Sequence, residues 1–541
     1  MRLPRTNTRI ALLFFVFFLF SYGLMSKTFH TDSAGNLKIA TKVWSDFAAT
    51  LPLIRSFSFG SNIPPQYPIF AGPPIRYHFI FFYLVSLIER SGLTLGFSLN
   101  ILSSLTFAGL LTIIFIFAQR VFKSTQAGIL TVILFLFNGS LSFIEFFKLH
   151  PVSMKTPYEI VTNTTFPSFG PYDGKLVSAF WNLNIYTNQR HLALAYTVFL
   201  IVLYILYSAR LNPKSLTLQK TLMLSFIVGF FPFVHLAVFG MMGIMVALFF
   251  VTSSLIRKKT FIIGLLGIIF AAPQILYMGV SSGNSNLIKP GYLVDPLTTF
   301  SFIRYWIYNL GLLIPLALLG IKFSEKKVRY LFLIFVTLFV AGNVFKFSIE
   351  MSANHKFFNL FVIGLDMFTA HALVTLWKGK LTKALVVIFL PLLILSGVID
   401  LFPILNDSYV TAIDIPNNEM ATFIKTKTPR DSTFLNGSFL YDSASIAGRS
   451  IYLGWPYFSW SAGYDTDSRY QTMKTILSSI SHEETCILLR NENIDYVLIR
   501  NPSPLEDVTV NYSMFEISFD PLYKNSTEDE ILYRVDTSCN N

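Results

Sequence analysis

Basic and imidazole side chains are concentrated at two places in the chain, and both have the chemistry to bind a phosphate group. Lys346, His355 and Lys356 lie within one short segment. Arg190 and His191 stand at the start of an apolar run nearer the N-terminus. Arg suits phosphate as a two-pronged donor, and Lys suits it as a point charge. The alternatives are that these cations anchor helix ends at a membrane surface, or that they pair with neighbouring acids.

Two carboxylates lie in the segment that follows the first apolar run. Asp46 falls on a predicted amphipathic helix whose apolar side chains can face a membrane or a core. Asp32 falls in the run TDSAGN, whose residue types favour a turn. A charge held near lipid is costly and usually serves a site. The alternatives are a solvated helix charge for Asp46 and an ordinary turn residue for Asp32.

A proline-rich segment follows at 62–79 and includes Arg76 and His78. Its five prolines exclude a regular helix or a central strand. We therefore expect a stiff external segment. It is either a shaped lid over a site or a structural wrap over helix ends.

Membrane-spanning helices must position these residues, because the composition is that of a membrane protein. Of the 541 residues, 53% are hydrophobic and 13% are charged, whereas soluble proteins have roughly 25% charged residues. About eleven apolar runs are each long enough to cross a hydrocarbon core of ~30 Å. They lie near 10–26, 98–118, 127–145, 191–209, 220–236, 238–255, 260–278, 301–321, 328–345, 357–377 and 383–403.

The distribution of basic residues predicts the topology. Lys and Arg fall on alternate loops, which contain a single acid, Glu325. The positive-inside rule makes these loops cytoplasmic and places the N-terminus on the same side. The formal charge of +12 is thus a topology signal and requires no nucleic acid. Residues 77–88 are too short to span and are predicted to lie at the interface, and the first run is predicted to be a retained anchor.

The predicted topology divides the chain into two domains. Residues 1–403 form a transmembrane module with long extracytoplasmic loops at 27–97 and 146–190. Residues 404–541 are predicted to form a small extracytoplasmic α/β domain. Its predicted helices lie near 416–427, 467–479 and 483–492, and its β-rich runs are 496–499 and 531–535.

Several soluble chemistries lack their motif in this sequence. It contains no P-loop, no HExxH, no paired CxxC and no GxSxG. Nor does it contain a convincing group of metal ligands. Cys486 and Cys539 both lie in the C-terminal domain, where two cysteines permit a disulfide without establishing one.

In their order and spacing, several segments resemble the type C glycosyltransferase (GT-C) superfamily, and within it a broad prokaryotic polytopic branch. Together they extend over nearly the whole chain, and each alone is moderately specific. They are VWSDFAATLPLIRSF (43–57), NIPPQYPIFAGPPIRYHF (62–79), TNQRHLAL (187–194), GNVFKFSIEMSANHKFFNL (342–360), AGRSIYLGWPYFSWSAGYDTDSRY (447–470) and NIDYVLIR (493–500).

This resemblance implies a mainly α fold, a transmembrane helical bundle with a small extracytoplasmic α/β domain. It also implies transfer of a sugar from a polyprenyl phosphate or pyrophosphate to an envelope glycan, lipid or protein, with inversion. Asp46 matches the loop aspartate that serves these enzymes as base. Positioned cations would stabilise the leaving phosphate, and we expect neither a cofactor nor a metal. The first candidates are Arg190, Lys346 and Lys356, and the second are Arg76, His78, His191 and His355.

The chain also departs from the pattern of the superfamily that it resembles. Members of that superfamily often carry a histidine four residues after the loop aspartate, where this chain has Thr50. The adjacent Asp-Glu pair of protein-mannosylating relatives is also missing from the first loop.

Three functions therefore stay open. The leading one is a lipid-linked-sugar glycosyltransferase. The second is a transporter or flippase for a lipid-linked substrate, which Asp366 in a predicted span favours. The third is a noncatalytic sugar- or lipid-binding membrane protein, with which Thr50 agrees. The resemblance implies a prokaryotic plasma membrane as the location.

Overall fold

A computed structural model describes residues 5–169, 173–279, 287–525 and 529–539, so that residues 170–172 of the predicted loop at 146–190 lie outside the described part. The helices are α1 (Arg5–Thr28), α2 (Trp44–Ser58), α3 (Ile80–Arg90), α4 (Leu95–Phe122), α5 (Thr125–Leu136), α6 (Ser142–Leu149), α7 (Thr156–Val161), α8 (Asn184–Asn188), α9 (His191–Leu211), α10 (Leu218–Thr252), α11 (Arg257–Met278), α12 (Thr299–Leu310), α13 (Leu313–Phe323), α14 (Lys326–Val344), α15 (His355–Leu376), α16 (Thr382–Leu405), α17 (Glu419–Lys427), α18 (Ser443–Ile446), α19 (Pro456–Ser461), α20 (Thr466–Ser478), α21 (His482–Asn491), α22 (Tyr512–Ser518) and α23 (Val535–Cys539). The strands are β1 (Phe29–Thr31), β2 (Leu37–Ala40), β3 (Tyr409–Ala412), β4 (Thr433–Leu435), β5 (Ser450–Ile451), β6 (Tyr496–Arg500), β7 (Pro521–Asn525) and β8 (Glu530–Arg534). The predicted mainly α class is confirmed.

Eight of the described helices are long and apolar enough to cross a membrane. They are α1, α4, α9, α10, α11, α14, α15 and α16. A ninth span results if α12 and α13, which are bent by 80° relative to each other, cross as a pair. The chain is thus a multi-pass membrane protein, whereas the number of eleven crossings stays a prediction.

Breaks within the apolar runs account for the difference in number. The predicted span 127–145 is divided into α5 and α6 because Asn138, Gly139 and Ser140 form a turn, in which the Ser140 amide donates to Asn138 Oδ1 at 3.0 Å. The predicted spans 220–236 and 238–255 form one element, α10, whose backbone leaves the helical conformation at His235.

Glycine explains the bend between α12 and α13. Gly311 has a φ of +50°, and a Cβ at this position would lie 2.3 Å from the carbonyl oxygen of Gly139. Only glycine adopts this conformation without strain and leaves room for the neighbouring backbone.

Contacts between Cα positions divide the chain into two compact units. The first unit comprises Met1–Thr28, Ser103–Gln274 and Asn284–Ser408, and the second comprises Phe29–Leu102, Ile275–Gly283 and Tyr409–Asn541. Most of the predicted first loop is thus grouped with the C-terminal segment, because its strand β2 pairs with β3. The predicted division after residue 403 concerns membrane topology, and it stays a prediction.

The first unit is a helical bundle in which α15 is the central helix. A Cβ at Gly320 of α13 would lie 1.9 Å from the carbonyl oxygen of Phe368 in α15. A Cβ at Gly364 of α15 would lie 2.4 Å from the ring of Phe335 in α14. These glycines allow close helix packing, in which small residues bring backbones together.

The second unit contains two sheets. Strands β1, β2 and β3 form an antiparallel sheet, in which Phe29 pairs with Ile39 and Leu37 with Ala412. The other sheet has the order β5-β4-β6-β8-β7, with β4 parallel to β5 and β6, and with β8 antiparallel to β6 and β7. The helices and strands predicted for the C-terminal segment are confirmed as α17, α20, α21, β6 and β8.

A buried ionic network fixes α2 within the second unit. The guanidinium of Arg55 lies 3.2 Å from Glu89 in α3 and 2.5 Å from Asp414. Burial raises the pKa of Glu89, and the positive charge of Arg55 opposes this effect. Since Asp46 lies on the same helix as Arg55, the network also holds the backbone that carries Asp46.

Candidate active site

Asp46 lies in the first turn of α2, as the sequence predicts. The hydroxyl of Thr50 donates to the backbone carbonyl of Asp46 at 3.0 Å, which is a bond within the helix. The Asp46 side chain is partly buried. A carboxylate in the first turn is stabilised by the partial positive charge of the helix N-terminus.

Three tyrosines of the second unit are close enough to Asp46 to feel its charge. Burial raises the pKa values of Tyr67, Tyr77 and Tyr441, and the negative charge of Asp46 raises each of them further. Their hydroxyls thus stay protonated at neutral pH and are able to donate hydrogen bonds. Tyr441 already donates to the backbone carbonyl of Trp44, and the two rings lie 4.0 Å apart.

The proline-rich segment packs against residues of the C-terminal part of the second unit. The Arg76 amide donates to the Tyr464 hydroxyl at 2.8 Å, and the Arg76 guanidinium lies 4.8 Å from the centre of the Tyr464 ring. The Arg76 side chain also donates to the carbonyl of Gly463. His78 is buried, with its ring stacked 3.9 Å from that of Tyr77. Of the two predicted roles, these contacts favour the structural wrap.

Arg190 is a fully buried cation of the first unit, with a relative exposure of 2%. Its guanidinium donates to the carbonyl of Thr187 at 3.1 Å, to the carbonyl of Met25 at 3.0 Å and to the hydroxyl of Thr28 at 3.0 Å. These bonds join the end of α1 to the start of α9. Arg190 therefore has a structural role, whether or not it also contacts a phosphate.

The predicted histidines His191 and His355 also lie inside the first unit, as does His235, which was not among the predicted site residues. The rings of His191 and His235 are 5.4 Å apart, and Nδ1 of His235 accepts from the Val238 amide at 3.4 Å. The His235 imidazole thus caps the second half of α10 where the helix is broken. His355 Nδ1 lies 2.8 Å from the side-chain oxygen Oδ1 of Asn359. The His355 ring stacks on the Phe180 ring, with 4.7 Å between the ring centres.

The two predicted lysines are less enclosed than Arg190. Lys346 and Lys356 are both partly exposed. The Lys356 carbonyl accepts from the Tyr196 hydroxyl at 2.7 Å, which holds the first turn of α15 against α9. The backbone amide of Lys346 donates to the carbonyl of Leu287 at 2.8 Å. Both side chains are therefore positioned by their backbones and retain exposed surface.

The eight predicted site residues fall into two groups. Asp46, Arg76 and His78 belong to the second unit, and the other five belong to the first. The five are Arg190, His191, Lys346, His355 and Lys356. The tyrosines around Asp46 were not predicted. Tyr67 and Tyr77 lie in the same proline-rich segment as the predicted Arg76 and His78, and this position could have identified them. Nothing in the local sequence marks Tyr441 as a neighbour of Asp46.

Two acids occupy the interior of the first unit. Asp366 is fully buried in α15, and neither of its carboxylate oxygens has a hydrogen-bond partner among the described residues. Asp400 in α16 accepts from the Asn182 amide at 3.3 Å. An unpaired charge inside a membrane protein is costly. An acid at such a position is therefore expected either to serve a function or to have an uncharged side chain.

Comparison with solved structures relates the complete chain to membrane glycosyltransferases. ArnT from Cupriavidus metallidurans bound to undecaprenyl phosphate is 11% identical, with a TM-score of 0.52, over 99% of this chain and 100% of that chain. The arabinofuranosyltransferase AftD from Mycobacteria is 14% identical, with a TM-score of 0.50, over 99% of this chain and 42% of that chain.

This protein has the GT-C fold. The archaeal oligosaccharyltransferase AglB from Archaeoglobus fulgidus is also similar, with 12% identity and a TM-score of 0.43 over 90% of this chain and 69% of that chain. No family model and no curated protein sequence matches the chain. The resemblance to the GT-C superfamily that the sequence suggested is confirmed for the fold, and the neighbours that carry the fold are glycosyltransferases.

Proposed function

We propose that this GT-C protein is an integral membrane glycosyltransferase. It transfers a sugar from a polyprenyl-phosphate or polyprenyl-pyrophosphate carrier to an envelope glycan, lipid or protein. The observation that carries the proposal is the match to ArnT over nearly the full length of both chains, since that structure contains undecaprenyl phosphate. A fold does not by itself confer an activity, so the proposal also depends on the chemistry of Asp46.

In the proposed reaction Asp46 is the general base. An acceptor hydroxyl gives its proton to the Asp46 carboxylate while its oxygen attacks the anomeric carbon of the donor sugar. The bond from that carbon to the phosphate oxygen breaks, and direct displacement inverts the anomeric centre. The protonated hydroxyls of Tyr67 and Tyr77 are candidates to orient the acceptor, because both lie within the electrostatic reach of Asp46.

The leaving phosphate gains negative charge, and positioned cations lower the barrier to its departure. We assign this role first to Lys346 and Lys356, whose side chains are partly exposed. Arg190 is assigned a supporting role, because several of its donors are bonded to the protein. The second candidates remain Arg76, His78, His191 and His355. We expect the reaction to proceed without a metal or another cofactor.

The test is a transfer assay with the purified full-length protein in lipid nanodiscs. Radiolabelled sugars on a panel of polyprenyl phosphates and pyrophosphates serve as donors, and envelope extract serves as acceptor. We expect label to enter the extract from at least one carrier. If a donor binds and no carrier supports transfer, a noncatalytic binding function is supported and the glycosyltransferase proposal fails.

Transport of a lipid-linked substrate is a second candidate, and Asp366 is the observation that favours it. A fully buried carboxyl with no hydrogen-bond partner among the described residues could carry a proton across the bundle. Reconstituted vesicles with a fluorescent polyprenyl phosphate would reveal movement between leaflets. Movement that stops in Asp366→Asn while transfer is absent would select transport.

A further inference from the structure

One cluster of soft metal ligands lies in the second unit, and the proposed reaction does not use it. His482 and Cys486 are four residues apart on α21 and therefore share one face of the helix. Cys539 is the last residue of α23, and its sulfur forms a disulfide with Cys486. Nε2 of His482 lies 3.4 Å from Sγ of Cys486 and 2.9 Å from the carbonyl oxygen of Ser538.

The residue types match those that bind zinc. Two thiolates and one imidazole form a set of three ligands that leaves the fourth tetrahedral position open to water. Zinc lies about 2.3 Å from sulfur and about 2.0 Å from nitrogen, so its tetrahedral ligands are roughly 3.5 Å apart. The observed separation of 3.4 Å between His482 Nε2 and Cys486 Sγ agrees with this value. All three ligand atoms lie within 4.8 Å of one another.

Binding requires only a small rearrangement of the cysteine side chains. Two sulfurs bound to one zinc ion are about 3.8 Å apart, so the disulfide must first be broken. The Cα atoms of Cys486 and Cys539 are 5.5 Å apart, which leaves room for an ion between the sulfurs after rotation of the side chains. Cys539 is the last residue of α23, a helix of five residues that directly follows β8.

We propose that, once this disulfide is reduced, Cys486, Cys539 and His482 bind one Zn²⁺ ion. A dithiol that becomes a disulfide, or a phosphine that takes oxygen from water to become its oxide, supplies two electrons and two protons. The sulfur–sulfur bond breaks and two thiols form. The metal ion then displaces the two thiol protons, because thiolates are the ligating species. The Nε2–H of His482 gives up its hydrogen bond to the Ser538 carbonyl, the imidazole proton moves from Nε2 to Nδ1 through solvent, and the freed Nε2 lone pair binds the metal. The two cysteines thus form a disulfide under oxidising conditions. Under reducing conditions they form a metal site together with His482.

The test uses the full-length protein in nanodiscs, reduced without oxygen by a phosphine and titrated with Co²⁺ as the optical probe. Reduced wild type should bind one ion per chain and show thiolate-to-cobalt charge-transfer absorption, and oxidised wild type should show neither. His482→Ala should weaken binding by about 10-fold or more through loss of one ligand. His150→Ala, which changes a histidine outside the cluster, is the matched control and should bind as wild type does.

Two results would overturn the proposal. One is the lack of charge-transfer absorption in reduced wild type whose free thiols have been confirmed by titration. The other is a cobalt affinity that is the same in His482→Ala as in wild type, because the site would then not include the imidazole. Since Cys486 is buried and Cys486→Ser could misfold, alkylation of the reduced wild type is the second way to remove the thiolates. The alkylated protein should bind no cobalt.

Discussion

Asp46 and Asp366 are both aspartates on long helices, yet their surroundings are opposite. Asp46 lies in the first turn of α2, partly exposed, where the helix N-terminus favours a negative charge. Asp366 lies in the interior of α15, with 0% exposure and no hydrogen-bond partner among the described residues. Among the described residues, the two aspartates thus differ in exposure and in whether a helix N-terminus lies beside the carboxylate.

This difference separates the candidate functions. A general base must start ionised and must be reachable by an acceptor hydroxyl, and the partly exposed position of Asp46 in the first turn of α2 is compatible with both conditions. A proton carrier must be able to remain neutral inside the bundle, and the buried position of Asp366, without a hydrogen-bond partner among the described residues, is compatible with that condition. The glycosyltransferase account therefore requires Asp46 and tolerates changes at Asp366, and the transport account requires the reverse.

The largest expected effect is the loss of transfer in Asp46→Asn. Removal of a general base should lower kcat by about 10²- to 10⁴-fold while donor binding is retained. Asp32→Asn is the matched control in the same loop, because its carboxylate accepts from the Ala34 and Asn36 amides at 3.0 and 2.8 Å and lies 3.5 Å from the Lys38 ammonium. These contacts lie within the hairpin formed by β1 and β2. Initial rates of sugar transfer measure the effect. If Asp366→Asn lowered the rate of sugar transfer more than Asp46→Asn, the roles assigned to the two aspartates would be reversed.

The next effect concerns the helix that carries Asp46. Arg55→Met removes the cation between Glu89 and Asp414, so that both buried carboxylates lose their direct ion pair. The free energy of unfolding should fall by about 3–5 kcal/mol, as measured by denaturant titration. Arg90→Met changes an exposed arginine at the end of α3 and should alter stability by less than about 0.5 kcal/mol. Equal effects of the two changes would show that the buried network does not hold α2.

Asp442 is intermediate between Asp46 and Asp366, because it is buried but has hydrogen-bond donors. Its surroundings predict that the stability of the protein depends on pH. Asp442 is buried but accepts from the amides of Gly437, Ser438 and Ala444. Burial raises its pKa from 3.8 to about 6, while these amides oppose the rise. The folded state thus binds the proton more tightly than the unfolded state.

The stability that Asp442 contributes is therefore complete below pH 4 and is lost as the pH rises through about 6. The unfolding midpoint of wild type should fall over this range, and the fall should be smaller in Asp442→Asn. Thermal unfolding at a series of pH values measures it. If both proteins lose stability in parallel, another group is responsible.

The smallest effect is expected for the stability of Asp366→Asn. If Asp366 is neutral in the folded protein, an amide of the same shape replaces it with a change in unfolding free energy of about 1 kcal/mol or less. Thermal unfolding in nanodiscs measures this change. A loss of several kcal/mol would mean that the carboxylate has a partner that only the acid can bind, and the contrast with Asp46 would weaken.

Helix positions were predictable from the sequence wherever an apolar run had no interruption. The run at 191–209 corresponds to α9, and the short helices of the C-terminal segment were found within a few residues. The breaks at Asn138 and His235 were not predicted. An average over about twenty residues does not register a turn of three residues or a single extended residue.

The candidate site was predictable only in part, because sequence identifies residue types and not distant neighbours. Asp46 and its helix were found from local pattern. Tyr441 contacts Trp44 across 397 positions of sequence, and no local feature marks it. Arg190 was expected as a phosphate ligand, and its bonds to Thr187 and Met25 depend on how α1 and α9 pack.

Chemical rescue of Asp46→Ala tests the central claim most directly. This variant lacks the carboxylate but leaves space where it stood, so added formate can act in its place as a base. We predict that Asp46→Ala transfers little sugar on its own and that formate restores transfer in proportion to its concentration, with no effect on Asp46→Asn. Transfer by Asp46→Ala that equals wild type, or that formate leaves unchanged, would contradict the assignment of Asp46 as the base.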